Sequence, residues 1–242
     1  MQTTVDERTR LFRAGPPPDS ATTYRGLHEY AKAGLLGFIA NLIVERVERG
    51  ASVLDLACGT GALALRLSDL GFRVHACDYV AENYRANLPF TQADLNGDFS
   101  ALLPGQFAGL VAAEIIEHLE NPRHFLREVA KLLAPGGILV LTTPNTDSPI
   151  SHAMLLSFGY HTWFSDDDYS TMGHISPVPG RLLRQCIMEA GLVVEKISTW
   201  SNAWEHVSHW PRMRLYSHVV ALLDRTPKDM RGDILVAIVK RV

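Results

Sequence analysis

The sequence predicts an α/β domain built around a doubly wound sheet of seven strands. The first observation behind this prediction is a strand, a glycine turn and a helix in direct succession. An apolar strand begins at Val53, Gly59 and Gly61 break it, and a helical pattern opens at Ala62. Glycines in such a turn adopt positive φ and let a ligand contact bare backbone. The turn therefore predicts a phosphate- or nucleoside-binding corner.

Acidic side chains at the ends of the next two predicted strands are the second observation. The strand over residues 73–79 carries Asp78, and the strand over residues 90–95 carries Asp94. Asp78 falls 17 residues beyond Gly61, close to the spacing at which a carboxylate binds ribose hydroxyls. Ligands of open α/β sheets bind beyond the carboxyl ends of the strands, so these acids and the glycine turn predict one binding edge.

The remaining elements complete the count of seven strands. Residues 107–113 form an almost continuous apolar run, which suits a strand covered on both faces. Periodicity and glycine stops then define alternating helices and strands up to the end of the chain. Helices are predicted over residues 121–133, 177–190 and parts of 202–223, and strands over residues 138–142, 192–199 and 233–240.

We predict a single domain over residues 1–242, with three special segments. Residues 1–20 are polar and proline-rich at their end, and we expect a mobile tail. Residues 21–49 are expected to form a helical cap, with one long helix from Tyr24 to Glu48. The core then spans residues 51–242. Within it, residues 146–176 lack periodicity but are rich in aromatics, which favours a substrate lid over disorder.

Composition limits the classes of protein to consider. The chain has 242 residues, of which 47% are hydrophobic, enough for one large domain with a buried core. A net charge of −3 argues against a broad basic surface, so a nucleic-acid partner is not expected. Three scattered cysteines without a CxxC pair suit a reducing compartment. Without a long apolar run or a signal-peptide pattern, we expect a cytoplasmic protein with no membrane span. The oligomeric state stays open.

Residues 51–145 resemble the class I S-adenosylmethionine-dependent methyltransferases. Asp55 to Gly61 match the first motif of that family, with Ala57 where the family often has glycine. The resemblance implies a Rossmann-like methyltransferase fold, a mostly parallel sheet whose last strand is antiparallel, and S-adenosylmethionine as cofactor. It also implies that the cofactor is bound by Asp55, Ala57, Gly59, Gly61, Asp78, Tyr79, Asp94, Leu95 and Glu114.

Two glutamates and a histidine follow the fourth core strand, in Glu114-Ile-Ile-Glu117-His118. If this segment begins a helical turn, positions i, i+3 and i+4 share one face, and the three side chains converge. Carboxylates and imidazole are suitable ligands for a divalent ion. His174, from the predicted lid, is the best candidate for a fourth ligand.

This pattern resembles two methyltransferase groups: the ubiquinone-pathway O-methyltransferases and the small-RNA 3′-end 2′-O-methyltransferases. The resemblance implies a metal, Mg or Zn, held by Glu114, Glu117, His118 and His174. Such an ion would lower the pKa of an acceptor hydroxyl and orient its oxygen. Two alternatives remain open. Without metal, His118 acts as general base near Glu117, or the segment has only a structural role.

The sequence favours O-methylation of a small-molecule hydroxyl. The alternatives are a catalytically silent S-adenosylmethionine-binding module and an RNA 2′-O-methyltransferase. The segment Gly59-Thr-Gly61-Ala-Leu-Ala64 also matches the glycine motif of NAD-linked oxidoreductases. However, Asp55 lies where dinucleotide-binding folds usually have apolar or glycine residues. The sequence does not predict the identity of the acceptor. It favours oxygen as the methylated atom but leaves nitrogen and carbon open.

Overall fold

A seven-stranded sheet forms the centre of the molecule. The computed structural model describes residues 22–224 and 226–242. The expected mobile tail over residues 1–20 lies outside the described residues. The helices and strands are numbered in chain order: β1 Thr23–Tyr24, β2 Leu27–His28, α1 Leu35–Val44, β3 Ser52–Leu56, α2 Ala62–Asp69, β4 Arg73–Asp78, β5 Phe90–Gln92, β6 Phe107–Ala112, α3 Pro122–Leu132, β7 Leu133–Pro144, α4 Pro149–Phe158, α5 Asp166–Thr171, α6 Gly180–Glu189, β8 Val193–Trp200, α7 Pro211–Leu223 and β9 Ile234–Lys240.

The sheet order is β5-β4-β3-β6-β7-β9-β8. Neighbouring strands from β5 to β7 pair in parallel, whereas β9 is antiparallel to both β7 and β8. The order reverses direction at β3, next to β6, which is the switch point where open α/β sheets bind ligands. The predicted α/β fold, with its mostly parallel sheet and antiparallel last strand, is confirmed.

Helices cover both faces of the sheet, as the apolar strands predict. On one face, Phe125 and Leu126 of α3 and Leu183 of α6 belong to a buried cluster with β6 and β7. On the other face, Ile39 of α1 and Leu67 of α2 are fully buried in a second cluster. Each strand of the centre is thus removed from water on both sides, which explains its continuous apolar sequence.

The predicted helix from Tyr24 to Glu48 is wrong over its first half. A two-stranded hairpin, β1 and β2, occupies that half, and α1 begins only at Leu35. Arg25 and Gly26 have φ of 47° and 81°, values at which a helix cannot continue. Gly34, at φ 87°, closes the turn before α1. The apolar spacing of the segment suggested one helix because periodicity does not register left-handed turns.

The predicted irregular lid also contains regular structure, in two helices. Ser148 caps α4 by accepting a hydrogen bond from the backbone N–H of Ser151, and Gly159 ends that helix at φ 83°. Ser165 and Asp168 form a capping box at the start of α5. Both helices are short, 10 and 6 residues, so their caps are stronger sequence signals than their periodicity.

No helix within residues 22–224 and 226–242 is both long and apolar enough to cross a membrane.

Candidate active site

A cavity of about 910 Å³ lies at the carboxyl edge of the parallel strands. One end of it is formed by the glycine turn after β3 and by residues that follow β4 and β5. The other end is formed by the segment after β6, by residues 163–174 and by the start of β9. The glycine turn and the predicted ligand cluster therefore open into one continuous space.

The turn after β3 has the conformation that its glycines predict. Ala57, Gly59 and Gly61 have φ of 58°, 54° and 85°. A Cβ on Gly59 would lie 2.9 Å from a ring carbon of Tyr30, which comes over the turn from the N-terminal segment. Ala57 adopts a left-handed φ in spite of its side chain, at a cost of about 1 kcal/mol. Ala57 and Gly59 both line the cavity.

Asp78 links the second strand to the glycine turn. Its carboxylate accepts hydrogen bonds from the backbone N–H of Gly59 at 2.8 Å and of Val80 at 2.9 Å. Burial raises the pKa of Asp78, although these backbone donors oppose the shift. Together with Asp78, Tyr79, Asp94 and Leu95 all reach the cavity wall. Six of the nine predicted cofactor residues thus share this end of the cavity.

Two predicted cofactor residues, Asp55 and Gly61, lie outside the cavity wall. Asp55 is 2% exposed, and burial raises its pKa to about 8, so it is largely protonated at neutral pH. A Cβ on Gly61 would lie 2.5 Å from the Cβ of Ala86. The structure therefore places both residues where they shape the turn from behind.

The segment after β6 forms a single 3-10 turn, Ile116–His118. Ligand atoms of Glu117, His118 and His174 lie within 4.8 Å of one another. Among the described residues, Glu114 does not join this group, so three of the four predicted metal ligands converge. Glu114 has a left-handed φ of 49°, which takes it out of the helical turn that the prediction assumed. It lines the same cavity, and its role as a cofactor contact stays a prediction.

Hydrogen bonds orient both histidines of this group. Nδ1 of His118 lies 3.2 Å from the carbonyl oxygen of Gly173, and Nδ1 of His174 lies 2.7 Å from that of Trp163. Because a carbonyl can only accept, Nδ1 carries the proton in each ring and Nε2 holds the lone pair. A histidine that donates one N–H to a backbone carbonyl and presents the other nitrogen is typical of a metal ligand.

Glu117 is fully buried between these groups. Its Oε2 accepts a hydrogen bond from the Thr143 hydroxyl at 2.9 Å, while Oε1 has no hydrogen-bond partner and lies 4.0 Å from Nε2 of His118. A buried carboxylate oxygen without a partner is costly. The backbone carbonyl of Glu117 accepts from the N–H groups of Ile175 and Ser176, which ties the turn to the chain beside His174.

Burial dominates the protonation of the cluster. It raises the pKa of Glu114 to about 7 and, with the charge of Glu114, holds that of Glu117 well above its usual range. It lowers the pKa of His118 to about 4, reinforced by the neighbouring His174, whose own pKa burial also lowers. Without a cation, the site thus favours neutral acids and neutral imidazoles.

A second polar group in the cavity was missed by the sequence predictions. Asp233, 3% exposed, accepts a hydrogen bond from Nε1 of Trp163 at 3.2 Å and pairs with Nζ of Lys32 at 3.0 Å. Lys32 also lies 2.8 Å from Oε2 of Glu205. Nε2 of His206 is 3.1 Å from Oδ1 of Asp233, without an aligned hydrogen bond. The sequence offered one clue to Asp233. Because the last strand was predicted to be antiparallel, its first residues should lie at the carboxyl edge of the parallel strands, next to the cavity.

This fold and cavity define a class: an α/β protein with a glycine turn and strand-end acids arranged for an adenosine-containing cofactor. The profile of a family described as a methyltransferase domain matches residues 27–197. The chain therefore belongs to this methyltransferase-domain family. The predicted resemblance to class I S-adenosylmethionine-dependent methyltransferases is confirmed, as is S-adenosylmethionine as the cofactor.

Several curated relatives share one name. The chain is 32% identical over 132 residues to a ubiquinone biosynthesis O-methyltransferase of Caulobacter sp. (strain K31), covering 46% of this chain and 51% of the relative. It is 35% identical over 105 residues to a protein of the same name from Xanthomonas campestris, covering 40% and 44%. The chain thus spans about half the length of the curated relatives it matches.

Solved structures share the fold at low identity. An S-adenosylmethionine-dependent methyltransferase from Archaeoglobus fulgidus has a TM-score of 0.58 at 16% identity, with 85% of this chain and 94% of that chain covered. The cyclase SpnF has a TM-score of 0.55 at 15% identity, with 98% and 93% covered. These likenesses concern the fold alone, and the second shows that the fold also carries other chemistry.

Proposed function

We propose that this protein transfers a methyl group from S-adenosylmethionine to a hydroxyl of a small, catechol-like molecule. The observation that carries the proposal is the group of Glu117, His118 and His174 in the same cavity as the glycine turn. The cofactor would lie on Ala57 and Gly59, with Asp78 and Asp94 binding its ribose and adenine. The names of the curated relatives support an oxygen acceptor.

The remaining predicted cofactor residues have assigned places in this proposal. Tyr79 and Leu95 flank the strand-end acids and would contact the adenine ring. Glu114 would bind the amino-acid end of the cofactor, beyond β6. Asp55 and Gly61 would act indirectly, by holding the turn that presents Gly59.

The three-residue group fits a divalent ion, either Mg or Zn. The ligand atoms of Glu117, His118 and His174 converge within 4.8 Å, and Glu117 has one carboxylate oxygen without a hydrogen-bond partner. The set offers nitrogen and oxygen but no thiolate, which suits hard or borderline ions. Bound there, a cation would acidify the acceptor hydroxyl. Glu117, His118 and His174 would hold it, and the protein would place the oxygen in line with the methyl group.

The metal-free alternative assigns the role of general base to His118, beside Glu117. A base is most effective when its pKa lies near the working pH. Burial lowers the pKa of His118 to about 4, so it would accept a proton from a phenol only weakly. This electrostatic argument favours the metal-assisted route over a lone histidine. A purely structural role for the segment leaves the orphaned oxygen of Glu117 without an explanation.

Metal analysis tests the proposal together with a pair of histidine variants. We expect a divalent ion in protein purified without chelator, and loss of turnover of a catechol in EDTA with S-adenosylhomocysteine affinity nearly unchanged. His174→Ala should lower both metal content and turnover by at least about tenfold. His218→Ala is the control, because His218 is exposed on α7, outside the cavity wall and outside both clusters of potential metal ligands among the described residues. Full activity in EDTA with no metal present contradicts the metal route and leaves His118 as base.

Two other functions make different predictions. A catalytically silent module would bind S-adenosylhomocysteine but methylate no acceptor. An RNA 2′-O-methyltransferase would need a basic path for the phosphates, whereas the net charge is −3. A cytoplasmic location and the absence of a nucleic-acid partner stay predictions.

A further inference from the structure

The acceptor end of the cavity has an unusual charge balance. In the described part of the chain, six carboxyl side chains line the cavity: Asp78, Asp94, Glu114, Glu117, Glu205 and Asp233. Lys32 is the only lysine or arginine among the described lining residues. At the acceptor end itself, apart from Glu114 and Glu117 after β6, the carboxyl groups of Glu205 and Asp233 face the single ammonium group of Lys32.

Lys32 does not offer a free positive charge to a ligand. Its Nζ lies 3.0 Å from Oδ2 of Asp233 and 2.8 Å from Oε2 of Glu205, so two carboxylates already share it. An anionic group on a ligand would have to displace Glu205 from Lys32 and then lie beside Asp233. Like charges brought together in an enclosed site are strongly unfavourable.

Asp233 is also fixed in place by the residues around it. Trp163 donates its indole N–H to Oδ1, and Lys32 holds Oδ2. These partners come from the predicted lid and the N-terminal segment, while His206 approaches from the 3-10 helix Ala203–Val207. A buried carboxylate held by three separate segments keeps its charge at one point of the wall.

We infer that the acceptor carries no negative charge on the part that enters the cavity, and that Asp233 and Glu205 enforce this selection. This inference rests on the proposed function and narrows its substrate class to neutral or cationic hydroxyl compounds. Discrimination arises by repulsion of the wrong ligand, in addition to any attraction of the right one. Carboxylated or phosphorylated versions of the same ring are therefore poorer acceptors.

Three catechols that differ at a single ring position, and thereby in charge, provide the test. 4-Methylcatechol is neutral, 3,4-dihydroxybenzylamine is a cation and 3,4-dihydroxybenzoate is an anion. We expect kcat/KM for the anion to be lower than for the other two by about tenfold or more, since bringing two like charges together in a partly enclosed site costs at least about tenfold in affinity. Glu205→Gln and Asp233→Asn should each reduce this discrimination. Lys32→Met should increase it.

Controls separate this mechanism from general damage. Glu195→Gln removes a half-exposed carboxylate that pairs with Arg46 outside the cavity, and it should leave the charge preference unchanged. Glu205 has a side chain that is 61% exposed, so Glu205→Gln remains informative if Asp233→Asn does not fold. A cofactor-binding measurement with S-adenosylhomocysteine checks that each variant is intact.

The outcomes distinguish the inference from the proposed function. Equal methylation of all three catechols, or a preference for the anion that Lys32→Met removes, overturns the inference and leaves the proposed function standing. Methylation of none of them counts against the proposed function. Binding of the three ligands to protein saturated with S-adenosylhomocysteine then decides the charge preference: weakest binding of the anion supports the inference, and any other order overturns it.

Discussion

The two ends of the cavity are built in different ways. The cofactor end, from residues 51–96, uses strands, one glycine turn and acids that lie within two residues of the end of each strand. The acceptor end draws on the N-terminal segment, α5, the 3-10 helix Ala203–Val207 and the start of β9. Lys32 and Asp233, which form its central ion pair, are 201 residues apart in the chain.

This difference shows what a local pattern can and cannot encode. The cofactor end is held by backbone geometry: positive φ at Gly59 and Gly61, and carboxylates bound to nearby N–H groups. The acceptor end is held by side-chain contacts between distant segments. Backbone geometry tolerates few substitutions, whereas a network of side chains can be changed one charge at a time. Variants at the two ends should therefore fail in different ways.

Gly61→Ala should give the largest effect at the cofactor end. The added Cβ would lie 2.5 Å from Ala86 and 2.7 Å from the Tyr84 ring, at a φ of 85°. Strain and overlap together should cost more than about 4 kcal/mol of unfolding free energy. Urea denaturation measures the loss, and calorimetry with S-adenosylhomocysteine should detect no binding.

Gly71→Ala is the matched control for that variant. Gly71 also has a positive φ, of 94°, but an added Cβ there would have no other atom within 4 Å. Gly71→Ala should lower the free energy of unfolding by about 1 kcal/mol, the cost of a left-handed φ at a residue with a Cβ. It should keep its affinity for the cofactor. Equal destabilisation of the two variants would show that the contact with Ala86 is not decisive.

Asp55→Asn should stabilise the cofactor-free protein in a pH-dependent manner. Burial raises the pKa of Asp55 from 3.8 to about 8. As the pH rises from 3.8 to 8, the unfolded chain releases this proton while the folded protein retains it, so wild-type stability falls. The variant escapes this loss, and its advantage at pH 8 should be of the order of a few kcal/mol.

Denaturation midpoints at about pH 5 and about pH 8 measure that advantage. Asp98→Asn, which removes an exposed carboxylate, is the control and should show little change at either pH. An Asp55→Asn advantage that shrinks between the lower and the higher pH would contradict a raised pKa for Asp55.

Ser165→Ala should give the smallest effect, at the acceptor end. The Ser165 side chain accepts from the backbone N–H of Asp168 and completes the capping box of α5. Its loss should cost about 1 kcal/mol, measured as faster hydrogen exchange over residues 166–171. Ser170→Ala, within the same helix, removes an exposed hydroxyl that bonds to Asp167 and should change exchange far less.

The same variant tests the predicted lid over residues 146–176. If this segment orders when the acceptor binds, exchange over residues 166–171 should slow on addition of a catechol in both wild type and Ser165→Ala. If the acceptor does not change hydrogen exchange over these residues, α5 is a rigid part of the cavity wall and does not order on binding.

The fold could be predicted from the sequence because its signals are short-range. The residues from Val53 to Ala62 predict a strand, a turn and the start of a helix. Asp78 and Asp94 mark where the neighbouring strands end. The N-terminal helix was mispredicted because Gly26 and Gly34 reverse the chain without disturbing the apolar spacing.

The candidate site was predictable in part. Glu117 and His118 are adjacent in sequence, and His174 was the one plausible partner from the lid; the structure brings all three together. Glu114 was expected among them, but its left-handed backbone sets it apart. The ion pairs of Asp233 were beyond prediction, because they depend on how the sheet order places β9 between β7 and β8.

Because β9 is antiparallel, the residues that follow it lie far from the cavity and are suitable for labelling. Pro144 pairs with Ile234 and Ile138 pairs with Lys240, so β9 starts at the cavity edge and runs to the opposite edge of the sheet. A strand of about seven residues spans about 20 Å. Val242 is 88% exposed beyond that far end. A fluorophore or affinity tag attached there would report on the protein without obstructing the entry of cofactor or acceptor.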